Sequence, residues 1–162
     1  MMEEYMKKIL AMFLLMLSTT FSFSGSLDYI SFKDQAGQVK KISDYKGKTY
    51  IKMWASWCHI CLATMPHTVE LSKEKNLGFN VISVVSPGRN GELKENDFKK
   101  WFKDTGWTEL TTLMDDKGEL IKRARLRVYP TNVFLDSRGN IAKVIIGAMS
   151  SKRIKEEMSK IN

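Results

Sequence analysis

Thr49-Tyr50-Ile51-Lys52-Met53-Trp54-Ala55-Ser56-Trp57-Cys58-His59-Ile60-Cys61 is the stretch that decides how this chain is read. Thr49–Trp54 is an apolar run with a strand's character, and it delivers the only two cysteines in a C-x-x-C spacing. Leu62-Ala63-Thr64-Met65 and Val69-Glu70-Leu71 then read as a helix broken at Pro66. Thiols at a helix N-terminus meet its unpaired N–H groups and the positive end of its dipole, which favour a thiolate. Cys58 is therefore expected to ionise below the free value of about 8.5, and the thiolate is the species that attacks disulfides. The spacing lets Cys58 and Cys61 approach across one helical turn and bond. A bridge closing so short a loop removes little unfolded-state entropy, so redox chemistry explains the pair better than a stabilising staple does.

The chain has 162 residues, 43% hydrophobic and 10% aromatic, which fits one domain with a real core. Residues 1–24 differ from the rest. Lys7-Lys8 precede an apolar run from Ile9 to Leu17, and small residues follow at Ser22 and Ser24. This pattern reads as an export signal cleaved near Gly25, leaving 25–162 as the mature domain. The run is shorter than the roughly 20 apolar residues of a spanning helix. An uncleaved anchor over residues 9–23 is the alternative, and Met6 is a better signal start than the acidic Glu3-Glu4. No cysteine follows the apolar core, so a lipid anchor is not expected.

Loss of residues 1–24 removes Lys7, Lys8, Glu3 and Glu4 together, so the formal charge stays at +8. A basic surface speeds encounter with acidic proteins or anionic membranes. Nucleic acid is not expected as a partner of an exported chain.

Leu27–Phe32 and Val39–Ile42 flank a turn at Asp34–Gln38 and read as a hairpin with one wet face. Ser43–Lys48 looks like one helical turn ended by Gly47. Gly78–Val85 is nearly continuously apolar, which places it centrally and buries both its faces. Lys94–Asp104 sets Phe98, Trp101 and Phe102 at helical spacing, a core face. Leu110–Met114 is a short strand. Gly118–Leu126 is expected to be helical, and the basic run Lys122, Arg123, Arg125 and Arg127 reads as a solvated face, with a docking patch for an acidic partner as the alternative. Pro130 opens an apolar strand, Val128–Leu135, where a missing ladder donor is tolerated. Asp136–Asn140 turns the chain into Ile141–Gly147, and Ser150–Ile161 closes it as a basic amphipathic helix with Ile154, Met158 and Ile161 inward. Strands alternating with helices and ending in a hairpin predict an α/β fold with a mixed sheet flanked by helices and an N-terminal hairpin.

Taken together these residues resemble the thioredoxin superfamily in its exported TlpA/ResA-like branch. The Ile42–Lys48 turn, Trp54-Ala55-Ser56-Trp57-Cys58-x-x-Cys61, a proline five residues after the second cysteine, and Tyr129-Pro130-Thr131 carry the likeness over about residues 27–149. A closer likeness is to the thioredoxin-like domain of PilB-type methionine sulfoxide reductases. It shares Trp54–Leu62, Ser86–Glu92, Asp97–Trp101 and Val128–Pro130. The resemblance implies a thiol–disulfide oxidoreductase with Cys58 as nucleophile, Cys61 resolving, and a substrate-docking rim of Trp57, Tyr129 and Pro130. It implies a cis Tyr129–Pro130 bond facing the cysteines. The implied partners are an exported disulfide-bearing protein, methionine sulfoxide reductase above all, and a CcdA/DsbD-like membrane electron donor. ResA-like reduction of apocytochrome c thiols is the alternative. No cofactor is expected beyond the Cys58–Cys61 disulfide itself.

Three positions depart from the family pattern. His59 replaces the proline that often follows the first cysteine, and a charged imidazole there would stabilise the Cys58 thiolate. Thr64 stands where TlpA-like members commonly carry a glutamate. Lys52 stands where the family has a buried acid, and it is expected to point to solvent, the alternative being a buried amine that modulates the thiols. Metal binding by Cys58, Cys61, His59 and His67 is disfavoured, because His59 lies between the sulfurs and His67 follows Pro66. Thiol peroxidase chemistry is disfavoured too, since the P-x-x-x-T-x-x-C frame is absent. Spacing alone does not set the direction of electron flow.

Overall fold

The computed structural model describes residues 26–162. The expected signal or anchor lies outside the described residues. Seven strands form one mixed sheet: β1 (Ser31–Lys33), β2 (Val39–Lys41), β3 (Thr49–Met53), β4 (Asn80–Val85), β5 (Thr112–Met114), β6 (Thr131–Leu135) and β7 (Ile141–Ile146). Their order across the sheet is β2-β1-β5-β4-β3-β6-β7. β3, β4 and β5 run parallel, while the β1–β2 and β6–β7 hairpins join antiparallel at the two sides. The expected fold class is what the structure has. Among the described residues four α-helices complete it, α1 (His59–Lys73), α2 (Glu95–Lys103), α3 (Glu119–Arg123) and α4 (Ser151–Ser159), with one 3-10 turn at Ile42–Asp44.

β3 sits between β4 and β6 with all five residues buried, so its alternation sorts side chains between two covered faces. Tyr50 and Trp54 point to one face, with Val81, Val85 and Phe134, under α1, α2 and α4. Ile51 and Met53 point to the other, with Ile82, Val84, Leu113 and Val133, under α3 and the Leu27–Ile42 segment. Phe98 and Phe102 of α2 bury their rings beside Trp54, with ring centroids 5.9 and 6.1 Å from it, as their helical spacing predicts.

Three sequence expectations need correction. Pro66 does not break its helix, and α1 runs unbroken from His59 to Lys73. Pro66 lies on the exposed side, where the carbonyl it leaves unpaired can be hydrated, while Cys61, Met65, Val69 and Leu71 hold the other side in the core. The Gly118–Leu126 helix is shorter than expected, because Arg125 turns to a φ of 50° just past Ala124. Lys52 does not reach solvent; it is 3% exposed, since β3 has no wet face to offer.

Both described ends of the chain lie at one pole of the sheet. Leu27 N–H donates to Gly139 O in the β6–β7 turn, and Lys48 Nζ donates to Ile161 O ahead of β3. The cysteines follow the other end of β3, the end paired with Thr131. Among the described residues no helix is long and apolar enough to cross a membrane.

Candidate active site

Trp54 continues β3 by donating its N–H to Val84 O, and Cys58 N–H then closes a tight turn on Ala55 O at 3.0 Å. That turn makes Cys58 the N-cap of α1, with extended backbone angles (φ −83°, ψ 98°). Its Sγ accepts the N–H of Cys61 at 3.3 Å, the bond an N-cap oxygen would take in an ordinary helix. The helix therefore aims a backbone donor and its positive end at this sulfur. Cys58 and Cys61 form a disulfide with Cα atoms 5.2 Å apart. Cys58 keeps 6% exposure and Cys61 none. One sulfur is reachable from outside, and the other waits behind it.

Trp57 is half exposed, and its ring stands edge-on to Tyr129 at 5.8 Å. Its Nε1 donates to Asn90 O at 3.1 Å. Tyr129–Pro130 is cis, as the resemblance implied, and it leads straight into Thr131 beside Met53. The structure thus brings Trp57, Tyr129 and Pro130 to the pole that carries the sulfurs. Ile60, 60% exposed, and the exposed Leu93 and Val128 add apolar surface to the neighbouring segments. Burial pushes the Tyr129 phenol upward, so it stays neutral. His59 is exposed at the first position of α1. His67 lies on the exposed side of the same helix, 3.9 Å from the Glu70 carboxylate. Among the described residues no three His, Cys, Asp or Glu side chains gather as a metal site would require.

Two residues matter here more than their sequence reading suggested. Glu92, named above only as the end of the Ser86–Glu92 segment, is buried and clasps the turn before Cys58. It accepts Ser56 N–H and Ser56 Oγ–H at 2.6 Å each, and Leu93 N–H at 2.7 Å. Its signal was weak: an acid four residues beyond Gly88, with nothing local to say that two of its three donors belong to Ser56, 36 positions upstream. Lys52 is the other. Its Nζ donates to Thr64 Oγ1 at 2.9 Å and Thr68 Oγ1 at 3.2 Å, and it reaches Cys61 O at 3.5 Å. Burial alone lowers this ammonium to about 8. Thr64 and Thr68, one turn apart on α1, were the readable clue to a polar group beneath them.

The chain matches the Redoxin family model over residues 19–160, and it belongs to that family. It is 40% identical to the exposed lipoprotein thioredoxin Etrx1 of Streptococcus pneumoniae, covering 82% of this chain and 98% of that one, with a TM-score of 0.77. The reduced N-terminal domain of PilB from N. meningitidis is 26% identical over 79% of this chain and 90% of that one, with a TM-score of 0.71. The thiol-disulfide oxidoreductase ResA of Geobacillus thermodenitrificans is 27% identical over 79% of this chain and 71% of its own length. Family, fold and the bonded cysteine pair together make this a thiol–disulfide oxidoreductase of the thioredoxin type.

Proposed function

We propose that the chain reduces disulfides of exported proteins, with Cys58 as the attacking sulfur and Cys61 as the resolving one. The observation that carries this is the asymmetry of the pair: Cys58 Sγ sits at the helix N-cap with a donor aimed at it, and Cys61 is fully buried. The Cys58 thiolate attacks one sulfur of the partner's disulfide. The Cys58–partner S–S bond forms, the partner's own bond breaks, and its other sulfur leaves as a thiolate and takes up a proton. Cys61 then gives up its proton and attacks Cys58 Sγ. This restores the Cys58–Cys61 bond and releases the second partner sulfur, so two electrons have passed to the partner.

Trp57, Ile60, Tyr129 and Pro130 form the apolar rim on which the partner docks. The Pro130 carbonyl already accepts Gly147 N–H at 2.9 Å, so a docking strand pairs at Tyr129. His59, when protonated, adds a cation at the Cys58 end of the helix. The partner is a methionine sulfoxide reductase kept active outside the cytoplasm, and electrons return through a membrane thiol carrier of the CcdA/DsbD kind. Likeness to the PilB N-terminal domain supports that reading, and so do the shared segments Trp54–Leu62, Ser86–Glu92, Asp97–Trp101 and Val128–Pro130. The signal-like residues 1–24 support export, as does the likeness to an exposed lipoprotein. Likeness to ResA favours a second reading, reduction of apocytochrome c thiols.

Cys61→Ser decides between them, because it leaves Cys58 covalently bound to whatever it attacks. Trapping a methionine sulfoxide reductase in the native host supports the first reading, and trapping apocytochrome c supports the second. No trapped exported disulfide protein would sink both.

A further inference from the structure

Lys52 is a buried cation with no counter-ion among the described residues. Its four-carbon stem rises from the centre of β3, and its ammonium ends on the first turns of α1, on two threonine hydroxyls and the carbonyl of Cys61. The groups around it do not neutralise it. From α1 the facing groups are Thr64, Thr68 and Cys61 itself. Ser83 of β4 and Asn132 of β6 are its cross-strand partners, and neither ionises. Tyr50, two residues along β3, bonds Asn132 Oδ1 and is held neutral by burial. On α4 the buried acid, Glu157, is engaged by Lys143 and Lys160. Among the described residues no carboxylate pairs with Lys52, and reduction of the disulfide creates a negative charge on the cysteine pair whose Cys61 carbonyl its ammonium already reaches.

We infer that Lys52 is a positioning residue of the Cys58–Cys61 couple: its ammonium supplies the counter-charge for the thiolate of the reduced pair, and wherever the oxidised protein holds the amine neutral a proton is taken up here as electrons are gained. The inference rests on the disulfide chemistry and not on which partner is reduced. Lys52 Nζ lies 3.5 Å from Cys61 O, and a carbonyl oxygen and the sulfur of one cysteine lie within about 5 Å of each other, so either sulfur of the pair is at most roughly 10 Å from the ammonium. At an effective dielectric of about 20 that attraction raises proton affinity on the order of tenfold. Reduction by a dithiol donor then balances in two ways. The donor's S–S bond forms, the Cys58–Cys61 bond breaks, and one sulfur keeps a proton while the other is a thiolate. The donor's second proton goes to Lys52 if its amine was neutral, and to solvent if it was already an ammonium. Burial places the switch between those routes near pH 8 in the oxidised protein. The same charge helps Cys61 become a thiolate when it resolves the mixed disulfide.

The test has two arms on the full mature chain. NMR titration of the Lys52 Cε resonance is run on the oxidised protein and on protein reduced with a phosphine. The midpoint should rise by about one pH unit or more on reduction, and equal midpoints would overturn the inference. The second arm equilibrates the wild type and Lys52→Met with glutathione buffers from pH 7 to 9.5. The wild type should be about tenfold more readily reduced at pH 7 and should approach parity by pH 9.5. Glutathione's own titration cancels in that ratio, and a ratio that stays flat with pH overturns the inference. The NMR arm needs only the wild type, so a misfolded variant does not remove it. Failure of both proteins to exchange with glutathione would instead count against the disulfide chemistry, with the NMR result still readable.

Discussion

Glu92 takes both hydrogen bonds that Ser56 can offer, from its backbone N–H and its hydroxyl, each at 2.6 Å. The turn that carries Trp57 and Cys58 is thus tied to the loop after β4 by a buried carboxylate. Glu92→Gln keeps the size and loses the fit, because an amide presents only one acceptor oxygen to three donors. A bond to a buried charged group is worth about 1.5–3 kcal/mol, so the variant should lose about 2–4 kcal/mol in urea denaturation, with an unchanged m-value. Its rate of insulin disulfide reduction should fall as the turn loosens. A variant as stable and as fast as the wild type would show that the clasp is incidental.

Gly91 holds a φ of 79°, and a Cβ there would come within 3.3 Å of Trp57 Nε1. Gly91→Ala should destabilise the protein by about 1–2 kcal/mol through its left-handed backbone. It should also push the indole off Asn90 O. Trp57 fluorescence should shift, and KM for a protein disulfide should rise while the equilibrium with glutathione stays put. Loss of stability without a fluorescence change would mean that Trp57 does not depend on this glycine.

The two sulfurs should differ sharply in reactivity once reduced. Cys58 is surface-reachable at the N-cap, whereas Cys61 has no exposure. Iodoacetamide at neutral pH should label Cys58 at least about tenfold faster, as read by peptide mass mapping of partly alkylated protein. Equal labelling would contradict the assignment of attacking and resolving roles.

The stability of the oxidised protein should rise with pH through the Lys52 window. Lys52 is lowered to about 8 in the folded chain, against 10.5 when free. Between those values the unfolded chain carries a proton there that the folded chain has lost, so unfolding becomes harder as pH increases. From pH 7 to 10 the gain is about 2 kcal/mol. Tyr50 acts in the opposite sense, but only above its ordinary value of 10.0, because its folded form resists ionisation. Denaturation of the wild type against Lys52→Met over pH 7–10 isolates the lysine: the variant should lack this rise. A rise shared by both proteins would place its source elsewhere.

The sequence made the architecture legible wherever a local pattern coincided with a tertiary demand. The apolar Gly78–Val85 run could only be central, Pro130 could only open its strand, and Cys58-x-x-Cys61 needs a strand on one side and a helix on the other. The misreadings share a cause. Pro66 is unfavourable inside an isolated helix, but α1 is held by core contacts along its opposite side, and these outweigh one lost hydrogen bond. Lys52 looks like a surface residue by its chemistry, and only the strands pairing on both sides of β3 show that no surface is available. Glu92 meets Ser56 through a loop closure that neither residue announces.

The two ends of the described chain sit together near Gly139 and Lys48, at the pole away from the sulfurs. Ile161 and the first described segment, at Leu27, thus both lie opposite the face that a disulfide partner must reach. Joining a passenger at either end should leave access to the disulfide unobstructed.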